Sequence, residues 1–268
     1  MAADAVKASL FYKANAKIRS IVGYRTMLGK NLSSPAIAQS NTSASECEEN
    51  INLSLSGYPR NHNYRVSGNQ LIPSFRLYER LRLVRRSYPE QIESFLDIGC
   101  CRGFYVLDAA IRSTCRISVG IDVHKPFIVT AEKVRQHLSI KNAAFHIASL
   151  EEFADNPRIH GGPFQTVLLI GTYHYLFWGS SLCSTAYRSH RQILQRLARI
   201  CTDRCIFSGR LELNRLPTEV KQIAESSADK THYNTVSFLR SAEEFFDARR
   251  TGFLGTYPMF VLSKKKFV

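Results

Sequence analysis

Two stretches carry residues whose types and spacing can do chemistry. In "SFLDIGCCRGFY", residues 94–105, an apolar run reads as a buried strand that ends at Gly99, and Gly103 opens a helix. Glycines at such a turn permit backbone geometries that a Cβ would block, and the helix start offers N–H groups to an anion. In "ISVGIDVHKPF", Asp122 ends a second apolar run and Pro126 starts the next helix. A carboxylate at a strand end can accept both hydroxyls of a ribose. Asp is equally a favoured helix cap, so that alternative stays open. The spacing is not the G-x-G-x-x-G of a dinucleotide fold, because Gly99 is followed by Gly103 with Cys101 between them.

The elements that must position these residues form a regular series. "SFRLYERLRLVRRSYP" places Phe75, Tyr78, Leu81 and Val84 at helical spacing, opened by Ser74 and closed before Pro89. Strands are then expected at 94–98, 116–121, 143–147, 164–170 and 204–208, and helices at 104–113, 126–138, 150–154 and 187–200. That alternation predicts an α/β fold with a doubly wound, mostly parallel sheet. At the end, "SAEEFFDARRTGF" reads as a capped helix and "GTYPMFVLSKK" as two short strands joined near Pro258, a terminal β-hairpin.

With 268 residues, 44% of them hydrophobic, the chain can bury one domain of about 200 residues and carry an appendage. We place the appendage at residues 1–50 and the domain at 51–268. Within residues 6–29, Leu10, Phe11, Ala14, Ile18, Ile21, Val22 and Leu28 fall at helical spacing among lysines and arginines, a basic amphipathic helix. It can dock on the domain, lie on an anionic membrane or serve as an organellar targeting segment. A Ser- and Asn-rich linker follows. No apolar run reaches the roughly 18 residues of a membrane span, and the N-terminus lacks the apolar region of a secretory signal. A cytoplasmic protein is expected, with membrane association left open.

Seven cysteines, an odd number without regular spacing, make no disulfide framework. Cys201 and Cys205, four apart at a predicted helix-to-strand junction, have no second pair or histidine at ligand spacing, so no metal is expected. The formal charge is +14, and residues 1–30 and 59–90 each carry +5 of it. The excess lies mostly outside the predicted core. It suits the phosphates of nucleic acid, anionic lipid or an anionic glycan, or is simply a basic soluble surface.

Asp97, Gly99, Cys101 and Gly103 at the first junction, with Asp122 at the second, resemble the motifs of class I S-adenosylmethionine-dependent methyltransferases. In that family the first strand carries an acidic-x-Gly-x-Gly-x-Gly motif and the second ends in the ribose-binding acid. The resemblance runs through about residues 74–268. It implies a Rossmann-like sheet of seven strands with the terminal hairpin, here preceded by an N-terminal helical extension, and S-adenosyl-L-methionine as cofactor. Cys101 replaces the middle glycine, and its small thiol fits if the turn keeps φ negative. At the end of the third strand, where the family commonly has an acid near the adenine amine, "FHIASLEEF" offers Ser149 and the backbone N–H of Leu150. In "FQTVLLIGTYHYLFWGSS", Gly171 and Thr172 are expected at the methionine end, and Tyr173, His174 and Tyr175 at the methyl-acceptor site. The Tyr-His pair is also faintly similar to carboxymethoxy-type wobble-uridine tRNA methyltransferases.

A sulfonium methyl is already activated, so such a protein mainly aligns a nucleophile and excludes water. His174 is the candidate base, with Tyr173 beside it; a histidine that only closes the pocket is the alternative. Cys100 and Cys101 read as packing residues. Residues 173–190 resemble a lid, and Arg76, Arg80, Arg82, Arg85 and Arg86 point to an anionic acceptor, a glycan, small metabolite or RNA. The alternative is a catalytically silent module that binds an anionic partner. A nicotinamide-dependent oxidoreductase is disfavoured by the glycine spacing.

Overall fold

A computed structural model describes residues 62–266, which fall into two compact units that part between Glu79 and Arg80. The predicted basic helix and linker of residues 1–50 lie outside the described residues. In the first unit, β1 (Tyr64–Ser67) and β2 (Gln70–Pro73) pair as an antiparallel hairpin. Helix α1 (Phe75–Arg85) follows, and the Ser74 hydroxyl accepts the Leu77 N–H at its start.

The second unit is built on β3 (Ser94–Ile98), α2 (Phe104–Ala110), β4 (Ile117–Asp122), α3 (Lys125–His137), β5 (Ala143–Ile147), α4 (Leu150–Asp155) and β6 (Phe164–Ile170). It continues through α5 (Tyr173–Trp178), α6 (His190–Ile200), β7 (Cys201–Ser208), α7 (Thr218–Glu225), α8 (Thr235–Ala242), β8 (Phe246–Leu254) and β9 (Tyr257–Lys264). The seven strands form one sheet in the order β5-β4-β3-β6-β7-β9-β8, with helices on both sides. Strands β3 to β7 are parallel, and β9 runs antiparallel between β7 and β8. This is the Rossmann-like α/β fold expected from the sequence.

The central strands are covered on both faces, which is why they read as apolar runs rather than as alternations. Phe95, Leu96 and Ile98 of β3 and Val167 to Ile170 of β6 are all buried. From β3 the chain winds outward through β4 and β5, then returns to place β6 on β3's other side. The loops after β3 and β6 leave in opposite directions there, opening a crevice at the carboxyl ends of the strands.

The C-terminal reading needs correction. The stretch taken as a capped helix ends its helix at Ala242 and becomes β8 at Phe246. The two short strands expected around Pro258 are one, β9, and the hairpin turns at Gly255 and Thr256, between the paired Leu254 and Tyr257. Cys201 stands at the expected helix-to-strand junction, as the C-cap of α6 and first residue of β7, and Cys205 lies within β7; both are free thiols. Between β7 and α8, a 3-10 turn, α7 and a second 3-10 turn were not foreseen. Among the described residues no helix is long and apolar enough to cross a membrane, and no group of three or more His, Cys, Asp or Glu is placed to hold a metal ion.

Candidate functional site

The turn after β3 alternates in handedness. Gly99, Cys101 and Gly103 have φ of 74°, 52° and 77°, so every second residue is left-handed. A Cβ at Gly103 would stand 2.5 Å from the Phe145 ring and 2.9 Å from the Ala131 Cβ, and one at Gly99 would strike Thr172. Only glycine fits either position. Cys101 overturns the expectation of a negative φ. It holds a conformation that costs a side chain about 1 kcal/mol, and the surroundings fix it there: its N–H donates to the Asp122 Oδ2 at 2.9 Å and the residue is buried. Cys100 sits over Gly120, where a Cβ would come within 2.8 Å of its Sγ. Burial pushes the Cys101 thiol up to about 12 and Cys100 upward as well, so both pack as protonated thiols.

Asp122 is not a helix cap. His124 holds that position, and its N–H donates to the Asp122 Oδ1 at 2.9 Å. One carboxylate therefore fastens the loop after β3 to the loop after β4. Burial raises its pKa against the pull of these N–H groups. Asp97, 4% exposed at the end of β3, is pushed up to about 8 by burial first and by the Asp122 charge second, with the Arg80 guanidinium opposing.

At the end of β5, Ser149 is the N-cap of α4. Its Oγ accepts from the Glu152 N–H at 3.2 Å and donates to Glu152 Oε2 at 2.9 Å, a complete capping box, with Leu150 buried behind it. At the end of β6, the Gly171 N–H donates to the Ser208 carbonyl, and its φ of 74° opens on a side where a Cβ would meet nothing within 4 Å. Thr172 caps α5 and packs on Gly99, so the β3 and β6 junctions touch.

Tyr173 and His174, adjacent in sequence, have different surroundings. The Tyr173 hydroxyl lies 2.5 Å from His190 Nδ1, and its ring packs among Phe207, Phe238 and His190 in the core. His174 is 2% exposed, and neither ring nitrogen has a hydrogen-bond partner among the described residues. Burial, then the positive charge of Arg210, lowers its pKa to about 3, so the ring is neutral.

Two acceptor-side expectations change. Arg85 is paired with the buried Asp108, which also faces Arg112 at 3.8 Å, so it serves the fold. The first third of the supposed lid is α5, whose Tyr173, Phe177 and Trp178 belong to the hydrophobic core. Sequence reasoning missed Arg210, two residues beyond β7. The available signal was "SGR" at the carboxyl end of a parallel strand, the same kind of junction as "GTYH" after β6.

A methyltransferase domain family model matches residues 90–250, more than half of the chain. The chain belongs to the methyltransferase domain family. Two tRNA (guanine-N(7)-)-methyltransferases of Prochlorococcus marinus, strains MIT 9313 and MIT 9303, are each 38% identical over 64 residues. That match covers 22% of this chain and 27% of each relative, so the chain spans about a quarter of their length. Among solved structures, the N-methyltransferase NodS from Bradyrhizobium japonicum WM9 is 13% identical with a TM-score of 0.47, covering 71% of this chain and 95% of that one. The bifunctional kinase-methyltransferase WbdD is 18% identical at the same TM-score, covering 72% of this chain and 39% of that one.

Proposed function

We propose that residues 51–268 act as one methyltransferase domain that passes the methyl group of S-adenosyl-L-methionine to an anionic acceptor. The observation that carries this reading is the alternating left-handed turn at Gly99, Cys101 and Gly103, clasped to Asp122. The three left-handed positions of this turn fall where the acidic-x-Gly-x-Gly-x-Gly pattern has glycines, which supports the reading although cysteine stands at the middle one.

In this reading Asp122 holds the ribose hydroxyls, using lone pairs that remain on two oxygens each already taking one N–H. The turn and Asp97 hold the methionine end, with Gly171 and Thr172 on its other side. The backbone at Leu150 meets the adenine, since the Ser149 hydroxyl is occupied by its capping box. The bound cofactor supplies a methyl group on a positively charged sulfur, already activated for transfer. What the chain adds is alignment, exclusion of water and a neutral imidazole: His174, with its pKa lowered to about 3, is too weak a base to take the proton outright, and instead hydrogen-bonds and orients an acceptor hydroxyl or amine. Tyr173 contributes by fixing the start of α5 through His190.

The formal charge of +14 supports an anionic acceptor, and the tRNA named for the Prochlorococcus relatives is one candidate beside a glycan or a small acid. Transfer of radiolabelled methyl from S-adenosyl-L-methionine into fractionated cell extract tests this directly. Label should enter an anion-exchange-retained fraction and should be lost with Asp122→Ala. A protein that binds the cofactor but labels no fraction is the silent module instead.

A further inference from the structure

The registers of β6 and β7 bring two polar residues together that no motif joins. Ile170 pairs with Ser208, and the Gly171 N–H bonds the Ser208 carbonyl at 2.8 Å. A Cβ at Gly209 would lie 3.2 Å from that of Tyr173, so the chain leaving β7 runs directly against the start of α5. His174 and Arg210 are the next residues along these two lines.

Each lacks a partner that its chemistry calls for. His174 is buried with both ring nitrogens unbonded among the described residues. Such a group forfeits the desolvation cost of two polar atoms unless something occupies them. Arg210 forms no ion pair with any described acid; its guanidinium rests over the Tyr257 ring, 5.3 Å from the centroid, and the Tyr233 hydroxyl pins its carbonyl. The acid nearest in sequence, Glu212, is taken, because its Oε1 accepts from the Thr235 hydroxyl at 2.7 Å and the Thr235 N–H at 3.3 Å.

Resting on the methyl-transfer reading above, we infer that Arg210 and His174 form the acceptor subsite: Arg210 binds a carboxylate or phosphate of the acceptor, and His174 hydrogen-bonds its nucleophilic group. A guanidinium fits either anion through paired N–H donors. A neutral imidazole offers one donor and one acceptor, which suits a hydroxyl or amine and not a second anion. Burial first, and the charge of Arg210 second, keep the ring in that neutral state.

The full chain, saturated with S-adenosylhomocysteine, is titrated with sodium phosphate, sodium acetate and, at matched ionic strength, sodium chloride. The readout is the His174 ring resonances by NMR. Phosphate or acetate should shift them saturably and chloride should not, and the stronger of the two names the anion. Arg210→Gln should weaken the titration about tenfold, Arg210→Lys less, and both should keep wild-type affinity for S-adenosylhomocysteine. An equal response in Arg210→Gln, or none in a wild type that binds S-adenosylhomocysteine, overturns the subsite and leaves the methyltransferase reading standing. A wild type that does not bind S-adenosylhomocysteine removes that reading, and the subsite with it.

Discussion

The backbone N–H of Cys101 and the Asp122 carboxylate meet at 2.9 Å across the ends of the neighbouring strands β3 and β4. Because the same carboxylate also takes the His124 N–H, the turn proposed for the methionine end and the proposed ribose acid cannot be set independently. Asp122→Ala should therefore do two things: remove the proposed ribose contacts and release the turn. We expect S-adenosylhomocysteine to bind at least about tenfold more weakly by calorimetry, the scale of losing a charge-assisted hydrogen bond or two. Asp122→Asn, which keeps one acceptor oxygen, should fall between. An unchanged affinity in the alanine variant would remove Asp122 from the cofactor site.

Cys101 supplies a second test, because its left-handed backbone is strained for any residue with a Cβ. Cys101→Gly relieves that strain but frees the unfolded chain, and the two effects are each about 1 kcal/mol. The melting temperature should hold or rise slightly, with cofactor affinity retained. Cys101→Val, β-branched at a left-handed position, should lose several degrees. A glycine variant that melts far below wild type would mean the thiol's packing outweighs the strain.

Two glycines with nearly the same φ should respond differently. At Gly103 a Cβ collides with Phe145 and Ala131, so Gly103→Ala is expected to cost about 2 to 4 kcal/mol of stability by denaturant titration. At Gly171 a Cβ meets nothing, leaving only the cost of φ, about 1 kcal/mol. Its methyl would instead project into the crevice, so Gly171→Ala should weaken cofactor binding more than it lowers stability. Equal losses of stability would contradict the geometry.

What could be read from the chain alone follows from where each signal is stored. Strands β3 and β6 have the bounds that their apolar runs indicate, since strands buried on both faces need no partner to announce them; β5 keeps its bounds too, although it is the partly exposed edge of the sheet. β8 was misread because Ser241 followed by Glu244 mimics a capping box, and only Phe246 and Leu254 of its nine residues are buried. Pairing with β9 decides its conformation, which local sequence does not record. The same division holds at the site. Gly99, Gly103 and Asp122 stand at predictable strand ends, whereas the φ of Cys101, the Tyr173–His190 contact and the approach of Gly209 to Tyr173 depend on strand order and register.

The buried ionisable groups of the crevice predict a stability maximum with distinct causes on its two sides. His174 and His190, lowered to about 3 and about 4 mainly by burial, bind protons in the unfolded chain near 6.5 but not in the fold. Their contribution is present above 6.5 and is lost as pH falls toward those folded values. Asp97 acts in the opposite sense: with a folded value of about 8 against an ordinary 3.8, it stays protonated in the fold while the unfolded chain has ionised. Stability from this group therefore falls as pH rises from about 4 to 8. The two histidines together outweigh it on the acid side, and above 6.5 Asp97 leads the decline, joined toward pH 9 by Cys101 and Cys201, whose thiols burial pushes up to about 12, so the cofactor-free protein should melt highest near pH 6.5. Asp97→Asn removes the decline between pH 6.5 and 8, where its advantage over wild type should grow by on the order of 1 kcal/mol or more. Thermal melts of both proteins from pH 5 to 9 check this, and curves that stay parallel across the range would show that Asp97 is ionised in the fold.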